Sequence, residues 1–159
     1  MTILAAQNLT GGYGSLPAIS SVNLSVLAGE WLSIIGANGS GKSTFLKLVC
    51  RILVPQAGKV LLDGKEILHQ PAKSLAQKLS LLPQQLTIPE QLTVAQLVSL
   101  GRSPYQSWWQ WELSGEDRAK VGQALEQTQM KHMHDRPVEQ LSGGERQRAF
   151  LALALAQDA

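Results

Sequence analysis

Two glycine-rich segments of this chain carry the residue types that handle phosphate. The first is Gly36-Ala37-Asn38-Gly39-Ser40-Gly41-Lys42-Ser43, which satisfies G-x-x-x-x-G-K-[ST] at every fixed position. Its glycines let the backbone turn where a Cβ would clash and expose successive N–H groups. Those donors, with a helix N-terminus behind them, suit the β- and γ-phosphates of a nucleoside triphosphate. Lys42 adds a positive charge, and the Ser43 hydroxyl suits a Mg²⁺ ion. The spacing G-x-x-G-x-G is not the dinucleotide fingerprint G-x-G-x-x-G. The second segment is Leu141-Ser142-Gly143-Gly144-Glu145. Ser142 and Glu145 ahead of an apolar run form an ordinary capping box. Two glycines at a helix start cost stability relative to Ala. They become useful where backbone N–H groups must come close to a phosphate. The two readings are compatible: Ser142 caps the helix, and the helix end binds an anion.

Positioning these residues takes a strand before the first loop and a helix after it. Trp31-Leu32-Ser33-Ile34-Ile35 is a short apolar run ending at Gly36 and predicts a buried strand. Residues 42–53 predict a helix, with Phe45, Leu46, Val49 and Leu53 on one side. Segments 3–9 and 22–27 predict strands, the second from the alternation of Val22, Leu24 and Val26. Lys59-Val60-Leu61-Leu62, Asp63-Gly64 and Lys65-Glu66-Ile67 predict a hairpin with an Asp-Gly turn. Residues 71–78 predict a short helix and 79–82 a buried strand. After Pro83 the pattern changes, and 93–100, 114–130 and 143–156 predict helices joined by loops. The expected organisation is an α/β core over 1–83 and 142–159, with an inserted helical region over 84–141.

Composition narrows the class. The 159 residues suffice for one domain with a real core. Lys and Arg number 14 against 12 Asp and Glu, a net charge of +2 with no long run of like charges, which argues against a nucleic-acid partner. The longest all-apolar stretch, 149–156, falls far short of the roughly 20 residues needed to span a bilayer. Met1-Thr2-Ile3 lacks the basic start of a secretory signal. The single cysteine, Cys50, falls in the helix after the first loop and reads as a small buried apolar residue. The expected compartment is the cytosol.

The order and separation of the two loops resemble the ATP-binding-cassette (ABC) ATPases, and the resemblance covers essentially the whole chain. It implies a P-loop NTPase core with an antiparallel β subdomain and an inserted helical subdomain, binding ATP and Mg²⁺. It places the triphosphate on Gly36, Ala37, Asn38, Gly39, Ser40, Gly41, Lys42, Ser43 and Thr44. Tyr13, in Gly11-Gly12-Tyr13-Gly14, stands where the family puts an aromatic that stacks on adenine, a contact of roughly 1–3 kcal/mol by analogy with base stacking. Gln84 matches the family glutamine that touches Mg²⁺ and the attacking water, and Gln85 beside it competes for that role. Lys42 and Gln84 are then the catalytic candidates, and Ser43 and Gln84 the Mg²⁺ ligands. Leu141, Ser142, Gly143, Gly144 and Glu145 match the signature loop, which faces the γ-phosphate held by the other subunit of a head-to-tail homodimer.

The resemblance extends to a branch. Leu81-Leu82-Pro83-Gln84, Leu92-Thr93-Val94 with Leu97-Val98, and Gly101-Arg102-Ser103-Pro104-Tyr105 are similar to ATPases of iron-siderophore and vitamin B12 importers. Trp108-Trp109 with Trp111, and Leu113-Ser114 with Glu116-Asp117, look most like the ferric-citrate import ATPases. The tryptophans read either as a local core closing a loop or as an aromatic patch on a permease. This implies a subunit on the cytoplasmic face of the inner membrane, working with permease subunits and a periplasmic or surface binding protein. The family also has an Asp-Glu pair after the signature helix and a histidine beyond it. No Asp-Glu dipeptide occurs here, and His132 and His134 precede the signature. The expectation is a domain incomplete at its C-terminus and deficient in hydrolysis on its own. His132 and His134 read as solvated loop residues rather than metal ligands. The other readings are an ABC-type ATPase not tied to transport, a truncated nucleotide-binding module, and a P-loop kinase or GTPase. The last has no use for Leu-Ser-Gly-Gly-Glu.

Overall fold

Alternating apolar residues near the N-terminus pair as a long antiparallel hairpin, β1 (Thr2–Tyr13) against β2 (Leu16–Leu27). In this computed structural model, which describes residues 1–82, 91–107 and 112–159, the hairpin belongs to the first of two compact units, Met1–Pro71 and Ala72–Ala159. The other edge of β1 pairs with β3 (Ala57–Leu62), and β3 with the short β4 (Lys65–Glu66), giving the antiparallel order β2-β1-β3-β4. The predicted Asp-Gly turn joins β3 to β4, with Asp63 at φ 51° and Gly64 at φ 75°. Two left-handed residues in succession are what a two-residue hairpin with a primed turn needs.

Helix α1 (Lys42–Val49) lies on this sheet and buries Phe45, Leu48 and Val49. A Cβ at Gly11 would stand 2.9 Å from Leu48 Cδ2, so the bare backbone of β1 there admits the helix. The helix ends earlier than the sequence pattern predicts. Arg51 turns left-handed (φ 56°), and the amides of Ile52 and Leu53 donate back to the Lys47 carbonyl at 2.8 and 3.1 Å. That cap satisfies carbonyls the helix would otherwise leave open. The Arg51 guanidinium then donates to the carbonyls of Ile67 (2.8 Å) and Gln70 (2.6 Å). Cys50, at the end of α1, is half-buried, and burial pushes its thiol pKa up.

The second unit is helical: α2 (Ala72–Ala76), α3 (Val94–Ser99), α4 (Gly115–Gln127) and α5 (Gly143–Gln157). Its core joins Val94, Leu97 and Val98 of α3 to Val121, Ala124 and Leu125 of α4 and to Ala149, Phe150, Ala152 and Ala156 of α5. Each larger side chain contributes roughly 1.5–3 kcal/mol on burial. Met130, Val138 and Leu141 fill the space between helices.

Two predicted strands are absent. Residues 31–35 and 79–82 carry no ladder, so the apolar runs exist without sheet geometry. A strand is stabilised by its neighbours, and no described residue pairs with either run. Trp31 and Ile35 are each 92% exposed as a result.

Candidate nucleotide-binding site

The first glycine-rich loop leads directly into α1. Gly39 and Gly41 have φ of +81° and +90°. At Gly41 a Cβ would fall 2.5 Å from Ile19 Cγ2 and 2.9 Å from the Ala18 carbonyl, so both backbone sign and space require glycine there. Gly41 is the N-cap of α1 and offers no side-chain cap. The first bond of the helix is donated by Phe45 to the Gly41 carbonyl (2.8 Å), so the amides of Lys42, Ser43 and Thr44 come ahead of the intrahelical ladder. The three other α-helices with a described N-cap, α3, α4 and α5, all begin on complete capping boxes.

Around this helix start the loop is open to solvent at Asn38, Gly39 and Ser40, and the Ser43 side chain is exposed. Thr44 differs: it is buried, at 7% exposure. The Ser40 amide donates to the Ala37 carbonyl at 3.2 Å and closes a turn within the loop. Lys42 Nζ donates to the carbonyls of Gly36 and Ala37, both at 2.7 Å, which places the ammonium over the loop. A cavity of about 260 Å³ opens alongside, lined by Ile34, Ile35, Gly36, Ser40, Gly41 and Lys42 among others. The arrangement concentrates N–H donors and one cation at a helix start. That donor set fits a polyphosphate, and the exposed Ser43 hydroxyl fits an accompanying hard cation.

Tyr13 closes β1 and is 57% exposed. Its hydroxyl accepts a hydrogen bond from Lys47 Nζ of α1 at 2.9 Å. Gln84 and Gln85 lie outside the described residues, as do Trp108, Trp109 and Trp111.

The signature residues lie in the second unit. Ser142 is the N-cap of α5. Its amide donates to Glu145 Oε2 at 2.8 Å, and the Glu145 amide donates to Ser142 Oγ at 3.4 Å. Hydrogen bonds from Ser142 hold the Glu145 carboxyl below its usual range. Leu141 is buried in the helical core, while Ser142, Gly143 and Gly144 face solvent. A Cβ on Gly143 or Gly144 would meet nothing within 4 Å, and neither residue has a positive φ. Nothing within the described residues demands glycine at either position.

Sequence reasoning missed a buried ion pair. Arg102, 3% exposed, donates through Nε to Asp117 Oδ1 at 2.8 Å and through a terminal nitrogen to the Ala156 carbonyl at 2.9 Å. Its guanidinium lies 3.8 Å from the centre of the Tyr105 ring. Asp117 also accepts from the Ser114 hydroxyl at 2.7 Å. Burial alone would raise the Asp117 pKa, but the hydrogen bonds from Arg102 and Ser114 and the Arg102 charge outweigh it and hold the carboxyl low. Ser114 and Asp117 form the capping box of α4, and nothing in the sequence marked Arg102 as the partner of Asp117. His132 and His134 lie on an exposed turn, and the described residues hold no cluster of metal-binding side chains.

The sequence profile of the ABC transporter family matches residues 19–159, and the chain belongs to that family. It is 46% identical to the achromobactin transport ATP-binding protein CbrD of Dickeya dadantii (strain 3937), over 99% of this chain and 58% of the relative. It is 44% identical to the iron(3+)-hydroxamate import ATP-binding protein FhuC of Bacillus subtilis (strain 168), over 99% and 58%. Against the ferric enterobactin transport ATP-binding protein FepC of Escherichia coli (strain K12) it is 40% identical, over 98% and 57%. The chain thus spans rather more than half the length of these curated relatives. Among solved structures, it superposes on an ATP-binding cassette of an ABC transporter with a TM-score of 0.78 at 29% identity, covering 99% of this chain and 66% of that one. A bacterial Atm1-family ABC exporter with ATP bound gives 0.82 at 27% identity, covering 99% and 27%. No described helix is long and apolar enough to cross a membrane.

Proposed function

We propose that these residues form the ATP-binding part of a subunit that couples ATP hydrolysis to import of an iron chelate. The observation that carries the nucleotide assignment is the start of α1. Among the α-helices with a described N-cap it alone lacks a capping side chain, and it follows the left-handed Gly41 with Lys42 beside it. Gly36, Ala37, Asn38, Gly39, Ser40, Gly41, Lys42, Ser43 and the Thr44 amide hold the phosphates. Ser43 and Gln84 are the Mg²⁺ ligands, and the ion, when bound, neutralises charge on the β- and γ-oxygens. Tyr13 stacks on the adenine. Leu141, Ser142, Gly143, Gly144 and Glu145 present the start of α5 to ATP held by a second copy in a head-to-tail dimer. The open space above Gly143 and Gly144 supports that role, since their missing side chains serve nothing nearby.

Residues 1–83 and 142–159 are assigned to the nucleotide-binding core and 84–141 to the helical subdomain. The helical part docks on a permease at the cytoplasmic face of the membrane, in a system with a separate binding protein for the chelate. The relatives named for achromobactin, ferric hydroxamate and ferric enterobactin support iron-chelate cargo. Uptake of radiolabelled ferric chelates in cells lacking the gene tests the proposal. The wild-type gene restores uptake and Lys42→Ala does not. Uptake that is undiminished without the gene contradicts the transport assignment.

A further inference from the structure

Tyr13 is held in place by a residue outside the phosphate loop. The ring sits where β1 gives way to a turn at Gly14 (φ 67°), and more than half its surface is open. An exposed aromatic at a turn samples several rotamers, and fixing it on binding costs affinity. Lys47 restrains it. Lys47 lies one helical turn beyond Ser43 on α1, a spacing that puts the two side chains on one side of the helix. Its Nζ donates to the Tyr13 hydroxyl at 2.9 Å and stands 5.4 Å from the ring centre. The cation is therefore anchored at the hydroxyl end of the ring and not against its centre. The turn itself is tied separately, by Gln56 Nε2 donating to the Gly14 carbonyl at 2.8 Å. One side chain holds the backbone of the hairpin tip, and the other holds the ring.

We infer that Lys47 is a positioning residue for the nucleotide base, acting through Tyr13. It links the ring rigidly to the helix that carries Lys42 and Ser43, so the base platform and the phosphate cradle keep a fixed separation. The inference rests on the reading of Tyr13 as the adenine-stacking residue. It says that Lys47 tunes affinity for the base and not for the phosphates.

The test compares MgATP with magnesium tripolyphosphate, which has the phosphates and no base, by competition against a fluorescent ATP analogue. Lys47→Met keeps the apolar stem and removes the donor. It weakens MgATP about three- to tenfold, the loss of one charged hydrogen bond at an exposed site, and leaves tripolyphosphate unchanged. Lys47→Arg restores most of the ATP affinity. Tyr13→Phe keeps the ring without its hydroxyl, and adding Lys47→Met to it weakens ATP no further. An equal loss for tripolyphosphate overturns the inference in favour of a direct phosphate contact or a fold defect. Unchanged ATP affinity in Lys47→Met, while Tyr13→Ala weakens ATP selectively, overturns it and leaves the stacking reading standing. Unchanged ATP affinity in Tyr13→Ala overturns the stacking reading and the inference with it.

Discussion

Glycine serves opposite purposes in the two loops, and single substitutions separate them. Gly41 is demanded by its own surroundings: its φ is +90°, and a Cβ would collide with Ile19 and the Ala18 carbonyl. Gly41→Ala is expected to cost at least about 1 kcal/mol, read as a lower urea midpoint. Gly143 has open space and ordinary helical backbone. Gly143→Ala is expected to leave stability unchanged or raise it by up to about 1 kcal/mol. The same variant, with Gly144→Ala added, is expected to abolish ATP-dependent dimerisation in sedimentation experiments. Dimerisation equal to wild type would remove the signature assignment. A third residue-scale outcome concerns Asp117. Asp117→Ala leaves Arg102 buried without its counter-charge and is expected to cost about 3–5 kcal/mol, whereas replacing both by apolar residues costs far less. The Asp117 pKa is depressed by folding. Its contribution is therefore complete above the unfolded carboxylate pKa of about 3.9 and is lost as pH falls through the lower folded value. Urea midpoints measured from neutral to acid pH should decline in wild type, and the part of the decline due to Asp117 should vanish in the double apolar variant.

The elements that local chemistry specifies were legible in the sequence. Asp63-Gly64 marked the β3–β4 turn, and Ser142 with Glu145 marked the start of α5. Each of these signals acts within a few residues, so neighbouring residue types suffice to read it. The misplaced elements depend on distant partners. Apolar periodicity carried α1 to residue 53, but the left-handed turn at Arg51 is fixed by carbonyls at Ile67 and Gln70. The runs at 31–35 and 79–82 have strand composition without a ladder, because composition supplies preference and pairing supplies the strand. Trp31 and Ile35 consequently face water. An exposed apolar run of this kind predicts self-association that grows with concentration, measurable by sedimentation velocity and reduced by Trp31→Lys.

For the molecule as a whole, the phosphate loop is the part that sequence specified most fully, since its chemistry is carried by contiguous residues and by their own backbone. The Tyr13–Lys47 bond and the Arg102–Asp117 pair were hidden because each joins segments that folding alone brings together. The chain offers Lys42, Ser43 and the signature residues for phosphate work. The most direct test of the central claim is titration of the purified chain with a fluorescent ATP analogue in the presence of Mg²⁺, side by side with Lys42→Ala. Saturable binding that weakens at least about tenfold in the variant, a loss of roughly 1.4 kcal/mol, is the predicted result. Equal affinity of the two proteins would contradict the assignment of this loop as the nucleotide site.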